Sequence, residues 1–224
     1  MRADRVELLK NMARAAAIAA GFAIAGTTMV ALTWEETQDD IAEAERRVLL
    51  NTLNQLVPAD RYSNDLFSDT TTVRDEDMLG TEEPVTVYRA RDDGKPVAAL
   101  LTPVAPNGYS GDIDLLVAIN YDGSLAGVRV LGHKETPGLG DLVERSKSDW
   151  LAQFDNASLA HPPLPEWKVK RDGGAFDQLT GATITPRAIV DAVRKTLLFY
   201  NGNRERIFSQ DHAEAEPTTT EANE

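Results

Sequence analysis

The residues with the clearest capacity for chemistry lie in a threonine-rich loop and the helix predicted to follow it. The sequence DQLTGATITP, which ends at Pro186, places the hydroxyl of Thr183 among small residues. Gly181 and Ala182 add little bulk there, so a large ligand could approach the backbone. Thr185 is a suitable N-cap, and Pro186 suits the first helical turn. Because the free N–H groups and the positive dipole end of a helix attract anions, the pattern predicts an anion site that contains a hydroxyl.

A simpler interpretation is an ordinary capped helix, in which Thr180 and Thr183 only satisfy backbone groups. A resemblance favours the first interpretation. The TGAT motif that ends at Thr183, with Thr185 two residues on, resembles the S/T-G-A-T-x-T signature of the FMN-binding domain. That domain occurs in the G subunit of the Rnf (Rsx) electron transport complex and in the C subunit of the sodium-pumping NADH:quinone reductase. The resemblance implies that Thr183 carries FMN through a phosphoester bond. The neighbours implied to bind the cofactor are Thr180, Gly181, Ala182 and Thr185.

Three other stretches resemble the same family in order and spacing: Gly108–Gly111 (the first loop), the Asp122–Gly123 turn, and Glu135–Gly140 (the ring loop). The resemblance extends from about residue 85 to about residue 202. In the family, the ring loop lies against the isoalloxazine ring of the flavin. A place in the core is an open alternative for Tyr109. The residues implied to adjoin the flavin are Glu135, Thr136, Gly138, Leu139, Tyr109 and Ser110.

Three titratable residues near these loops receive no catalytic role. His133 precedes the ring loop, but nothing in the sequence pairs it with a carboxylate or a nucleophile, so a hydrogen bond to the turn is favoured over acid–base chemistry. Lys168 and Lys170 could screen phosphate charge, although solvated surface positions are favoured for both. The sequence contains no Ser/His/Asp arrangement and no phosphate-binding glycine fingerprint. We therefore predict no catalytic residue, and any redox chemistry would be the cofactor's.

Composition narrows the functional classes. The chain has 224 residues, a formal net charge of −13 and no cysteine. Thiolate-held iron–sulfur clusters, thioether-linked haem and disulfide frameworks are therefore excluded. The three histidines are far apart in sequence, and none has another at helical spacing, so no metal site is predicted. The excess of negative charge argues against nucleic acid as a partner.

The N-terminus predicts a membrane anchor. Residues 15–33 form a run of 19 residues without a formal charge, close to the minimum length of a bilayer-spanning helix. Basic residues precede the run and acidic residues follow Trp34, so the positive-inside rule places the N-terminus in the cytoplasm. We assign residues 1–14 to a cytoplasmic N-terminus and residues 15–34 to a transmembrane helix. A cleaved signal peptide is the alternative, but the run is longer than a usual signal core.

The rest of the chain predicts an α+β domain with appendages. Residues 35–83 are assigned to a helical linker, in which a helix over 35–57 precedes a polar connection with at most a short helix. Residues 84–204 are assigned to the FMN-binding domain, with antiparallel hairpins followed by helices. Residues 205–224 are assigned to an acidic disordered tail. The elements predicted within the domain are strands over 85–90, 96–101, 113–119 and 125–131, a helix over 139–154 and a final helix after Pro186.

The resemblance implies a membrane-anchored flavoprotein that belongs to an ion-translocating electron transport complex of the Rnf/Rsx type. Such a protein relays electrons through covalent FMN and is not catalytic alone. It implies a single-pass protein of the bacterial inner membrane with a periplasmic FMN domain. The implied partners are the other subunits, membrane lipid, and a flavin transferase that uses FAD and a divalent metal. Two alternatives stay open: the C subunit of a sodium-pumping NADH:quinone reductase, and a non-redox extracytoplasmic scaffold with the same fold.

Overall fold

The computed structural model describes residues 2–209, except for the side chains of residues 2–6, 8 and 9. The chain divides into two compact units, Met1–Asn51 and Thr52–Glu224. The boundary between the units lies within helix α1, which runs from Arg2 to Leu56.

The first unit consists of most of α1. This helix is long and apolar enough to cross a membrane, and its apolar side chains are exposed, as Phe22 at 77% and Trp34 at 65% show. The predicted membrane helix and the predicted helix over 35–57 are therefore one uninterrupted element. No proline interrupts it, and an ion pair between Arg47 and Glu43 at 2.9 Å supports its polar part at i, i+4 spacing.

The second unit contains a six-stranded sheet in which all pairings are antiparallel: β1 (Thr70–Val73) with β2 (Val85–Asp92), β2 with β3 (Lys95–Leu101), and β5 (Ile113–Asn120) with β3, β4 (Val104–Ala105) and β6 (Leu125–Gly132). The four predicted strands are present, each with small extensions. The tight turn between β2 and β3 has positive φ at both Asp93 (46°) and Gly94 (77°), as a two-residue hairpin turn of this twist requires.

Two further α-helices complete this unit: the short α2 (Glu76–Leu79) and the long α3 (Ile184–Phe208). Helix α3 packs against α2, β4 and β5, and its inner face is apolar, with Ile189, Val193 and Leu197 fully buried. Because the sheet is antiparallel and the long helix α3 packs against it after the last strand, the fold is α+β, as predicted.

Two parts of the predicted secondary structure are wrong. Residues 139–154 do not form an α-helix but two 3₁₀ helices, Gly140–Val143 and Trp150–Phe154. In the polar run between them, the hydroxyl of Ser148 donates to the carbonyl of Leu142 at 2.5 Å, so a serine side chain competes with the helical backbone bonds. The connection over 59–83 also contains β1, whose three threonines and a valine are good strand formers.

The predicted tail boundary also needs correction. Helix α3 continues to Phe208, so residues 205–208 belong to the helix and not to a tail. Its last turn is apolar on the inner side, because Ile207 and Phe208 are buried. The remainder of the predicted tail, residues 210–224, lies outside the described residues.

Candidate functional site

The loop Asp177–Thr183 (the motif loop) leads directly into α3, which begins at Ile184. Thr183 holds the N-cap position, but its side chain makes no cap hydrogen bond. Thr185, predicted as the N-cap, is instead the second residue of the helix and is fully buried. The helix thus begins earlier than the sequence predicted. Although Thr183 now holds the capping position, its hydroxyl does not serve the helix.

Three features fix the shape of the motif loop. Gly181 has φ +83°, a left-handed conformation that favours glycine, and the N–H of Ala182 donates to the carbonyl of Leu179 at 3.3 Å. At the start of the loop, the indole N–H of Trp150 donates to the carbonyl of Asp177 at 2.7 Å. The loop is therefore held at both ends, while Thr180 and Gly181 between them are exposed.

Thr183 itself is half-buried and lies beside a cation. A guanidinium nitrogen of Arg171, Nη1, is 3.5 Å from its Oγ1, which is a long contact. The hydroxyl also sits at the start of a 25-residue helix, where backbone N–H groups have no intrahelical partner. This arrangement favours a negative charge bonded to or beside that oxygen.

Glu135 connects the first loop and the ring loop with the start of α3. Its side chain is buried, at 4% exposure, and one carboxylate oxygen accepts a hydrogen bond from the backbone N–H of Ser110 at 2.9 Å. The other oxygen accepts a short hydrogen bond from the hydroxyl of Thr185. One carboxylate thus joins the first loop, the ring loop and the start of α3. Its buried side chain supports the two loops at the start of α3.

Close backbone approaches explain the glycines of these loops. A Cβ on Gly140 would lie 2.6 Å from a carboxylate oxygen of Glu135, and a Cβ on Gly108 would clash with the carbonyl oxygen of Gly111. A Cβ on Gly181 would lie 2.8 Å from the Cδ2 atom of Leu139, so the ring loop covers the motif loop directly. Larger residues at these positions would push the loops apart.

The remaining predicted flavin neighbours are exposed. Gly138 and Thr136 are exposed, and Leu139 is 43% exposed although it also contacts the motif loop. The carbonyl of Thr136 accepts the N–H groups that close the turn of the ring loop, so this threonine shapes the loop. Tyr109 is 67% exposed, so the alternative that it is a core residue is wrong. Ser110 is exposed as well, and it contributes its backbone N–H to Glu135.

His133 forms the predicted hydrogen bond to the turn, because its Nδ1 accepts the backbone N–H of Glu135 at 3.0 Å. The structure also supplies the carboxylate that the sequence did not reveal, since Nε2 lies 2.9 Å from Oε1 of Glu144. Hydrogen bonds from Lys147 and then from His133 lower the pKa of Glu144. Both ring nitrogens are therefore engaged in holding the ring loop, which agrees with a structural role.

The cations near Thr183 differ from those that the sequence suggested. Lys170 forms an ion pair with Asp177 at 2.5 Å and is largely exposed, and Lys168 is exposed. Arg187, in the first turn of α3, binds Asp172 through two contacts of 2.6 Å.

Arg171 is the residue that sequence reasoning missed. It lies 12 positions before Thr183, and only the folded 3₁₀ turn Lys170–Asp172 brings the two together. No motif of the sequence marks this arginine, so its place beside the hydroxyl becomes visible only in the folded chain.

Comparison with known proteins identifies the family of the chain. A family model described as "FMN-binding domain" matches residues 108–198, and one described as "RnfG N-terminal region" matches residues 1–56. The relatives named as the G subunit of an "Ion-translocating oxidoreductase complex" include a protein of Pseudoalteromonas atlantica. It is 47% identical over 84% of this chain and 87% of its own length. The corresponding protein of Pseudomonas aeruginosa is 44% identical over 91% of this chain and 95% of its own.

Among solved structures, "Crystal structure of Shewanella oneidensis NqrC" is similar with a TM-score of 0.41 and 22% sequence identity. The similarity covers 60% of this chain and 70% of that one.

Proposed function

We propose, from the premise that this chain belongs to the RnfG family of ion-translocating oxidoreductase complexes, that it relays electrons through FMN bound covalently to Thr183. The observation that carries the proposal is the hydroxyl of Thr183. It is half-buried at the N-terminus of α3, makes no cap hydrogen bond, and lies within the part of the chain that matches the FMN-binding domain. An ordinary capping threonine would use its side chain to satisfy the helix.

The residues of the site fit this cofactor. The motif loop presents backbone and small residues beside Thr183, and a Cβ on Gly181 would fill the space against Leu139. The N-terminus of α3 favours the negative charge of a phosphate. Bound FMN would supply one- and two-electron redox chemistry, which none of the side chains of this chain offers.

Attachment needs a group transfer at the hydroxyl of Thr183. We propose that a flavin transferase supplies FAD as donor and a divalent metal for the step. The hydroxyl loses its proton to a base, its oxygen forms a bond to the phosphorus of the FMN half, and the phosphoanhydride bond breaks with release of AMP. The product is a phosphodiester with one negative charge, so the cofactor cannot dissociate.

The chain's own residues would then position the flavin. Glu135 fixes the ring loop against the start of α3, so Leu139 keeps a set distance from Thr183. Tyr109 and Ser110 would border the ring from the first loop. Among these, Leu139 is the side chain that touches the motif loop, which makes it the main apolar contact in the proposal.

The same proposal covers location and partners. The apolar part of α1 would span the bacterial inner membrane, with residues 1–14 and their basic side chains in the cytoplasm and the FMN domain in the periplasm. A covalent bond suits that place, because a cofactor lost outside the cytoplasm could not be replaced there. The partners would be membrane lipid and the other subunits of an Rnf-type complex.

The relatives favour the RnfG assignment over the C subunit of a sodium-pumping NADH:quinone reductase. The matched proteins are named as G subunits, and the similarity covers most of their length. The alternative from another class is a scaffold that has kept the fold without flavin. In that case Thr183 would be one more surface threonine.

The test is to co-express the full chain with a flavin transferase and to record flavin fluorescence on a denaturing gel. We expect a fluorescent band for the wild type and for Thr72→Ala, which makes the same change at an exposed threonine outside the predicted site. We expect a dark band for Thr183→Ala. A dark wild-type band beside a fluorescent known substrate of the transferase would favour the scaffold.

A further inference from the structure

We propose that Arg171 is the residue that binds the phosphate of the attached FMN, in place of the lysines that precede it. This inference rests on the proposed function, because it concerns the phosphodiester at Thr183. It assigns a phosphate-binding role to a side chain that no sequence motif marks.

The first argument is position. Nη1 of Arg171 lies 3.5 Å from Oγ1 of Thr183, the atom that would bond to phosphorus. A phosphate attached to this oxygen would place its free oxygens within the reach of the same guanidinium. Arginine binds phosphate through two parallel N–H groups, which gives direction as well as charge.

The second argument is availability. Two neighbouring cations are already paired: Lys170 with Asp177 at 2.5 Å, and Arg187 with Asp172 at 2.6 Å. Within the part of the chain that the structure describes, no carboxylate lies within ion-pair distance of Arg171. Its guanidinium contacts Thr183 and can therefore take a new anionic partner without breaking an existing pair.

The third argument is rigidity. Arg171 lies in the 3₁₀ turn Lys170–Asp172, which ends at Gly173 in the left-handed conformation. The next residue, Asp172, is held by both guanidinium contacts of Arg187, and Arg187 lies in the first turn of α3. The side-chain hydrogen bonds from Arg187 also lower the pKa of Asp172. The turn that carries Arg171 is thus tied to the helix whose N-cap is Thr183.

The experiment compares Arg171→Ala, Arg171→Lys and the control Lys168→Ala in the full chain in detergent. Lys168→Ala removes the same charge three residues earlier. The first measurement is the rate of flavin attachment by the transferase, read by fluorescence on denaturing gels. The second is the ³¹P NMR chemical shift of the phosphodiester in protein that has been fully loaded by long incubation.

We expect Arg171→Ala to slow attachment about tenfold, as the loss of a charge-assisted hydrogen bond implies. Arg171→Lys should recover part of the rate, and Lys168→Ala should stay within about twofold of the wild type. The ³¹P resonance should shift in Arg171→Ala and not in Lys168→Ala. Thermal melts should be the same for both, because both side chains are exposed.

The outcomes separate the two proposals. If the wild type takes flavin, but Arg171→Ala and Lys168→Ala match in rate and in ³¹P shift, Arg171 is an ordinary surface residue and the proposed function stands. If the wild type takes no flavin while a known substrate does, both proposals are wrong.

Discussion

The two ends of α3 are built in different ways. At the C-terminal end, Arg89 donates to the carbonyls of Ile207 (3.2 Å) and Ser209 (3.0 Å), and Arg91 donates to the carbonyl of Phe208 (3.0 Å). At the N-terminal end, the side chain of Thr183 caps nothing. One end of the helix is closed by buried side chains, whereas the other leaves a hydroxyl available.

The cations at the two ends of α3 also differ in their ion pairs. A carboxylate, Asp69, pairs with Arg89 at 2.5 Å and with Arg91 at 2.8 Å, so the cations at the C-terminal end already have an anionic partner. Arg171 at the N-terminal end has no such partner among the described residues. The difference indicates that the carbonyl end of α3 contributes to stability, whereas its N–H end is the one at which we propose that the cofactor binds.

The largest effect on stability is expected from removing the hydrogen bonds at the C-terminal end of α3. Arg89→Ala should lower the free energy of unfolding by about 3–5 kcal/mol, because it leaves Asp69 without its closest cation and removes the donors to two carbonyls. Urea unfolding followed by tryptophan fluorescence measures the change. Arg206→Ala, in the same last turn but exposed, is the control and should change little. Equal losses in the two variants would mean that the buried cap is not what stabilises this end.

The next largest effect is expected from removing Glu135, which holds the ring loop at the N-terminal end of α3. Glu135→Ala leaves the N–H of Ser110 and the buried hydroxyl of Thr185 without their acceptor, which should cost about 1–3 kcal/mol. It should also slow flavin attachment, because the ring loop and α3 lose their common contact. Glu166→Ala, at an exposed glutamate, should change neither quantity. A Glu135→Ala protein with wild-type stability would show that Glu135 does not tie the loops together.

A smaller effect is expected inside the motif loop. Gly181→Ala should destabilise by about 1–2 kcal/mol, because φ is +83° and the new Cβ would lie 2.8 Å from Leu139. Gly202→Ala makes the same change within α3, where a Cβ meets nothing within 4 Å, and should stabilise by about 0.5–1 kcal/mol. Circular-dichroism melts of both variants would test the opposite signs. The same sign in both would exclude a special conformation at Gly181.

The elements that the sequence predicts well are those with local causes. The hairpins follow from alternating apolar residues and Asp-Gly turns, and α3 follows from an apolar repeat after a threonine-proline start. The motif loop and the ring loop carry recognisable residue patterns. Their side chains and glycines make close contacts with one another, so their residue types are restricted and the resemblance finds them.

The parts that the sequence does not predict depend on distant partners. Glu135 meets Thr185 across 50 positions, and no local pattern indicates that this carboxylate is buried. His133 contacts Glu144, which lies in the stretch that the sequence predicted as a helix. Arg171 approaches Thr183 in a turn that the ion pair of the next residue, Asp172, holds against α3. In each case the two residues are separated in sequence and come into contact only when the chain folds.

The smallest effect on stability is expected from Thr183→Ala, which tests whether the two ends of α3 differ. Thr183→Ala should change the free energy of unfolding by less than about 0.5 kcal/mol, because no cap hydrogen bond is lost. Thr185→Ala makes the same substitution two residues later and should cost about 1–3 kcal/mol, since it removes a buried hydrogen bond to Glu135. Flavin attachment should show a different order, with none in Thr183→Ala and some retained in Thr185→Ala. If Thr183→Ala were instead the less stable of the two, its hydroxyl would be serving the helix. The N-terminal end of α3 would then be closed like the other.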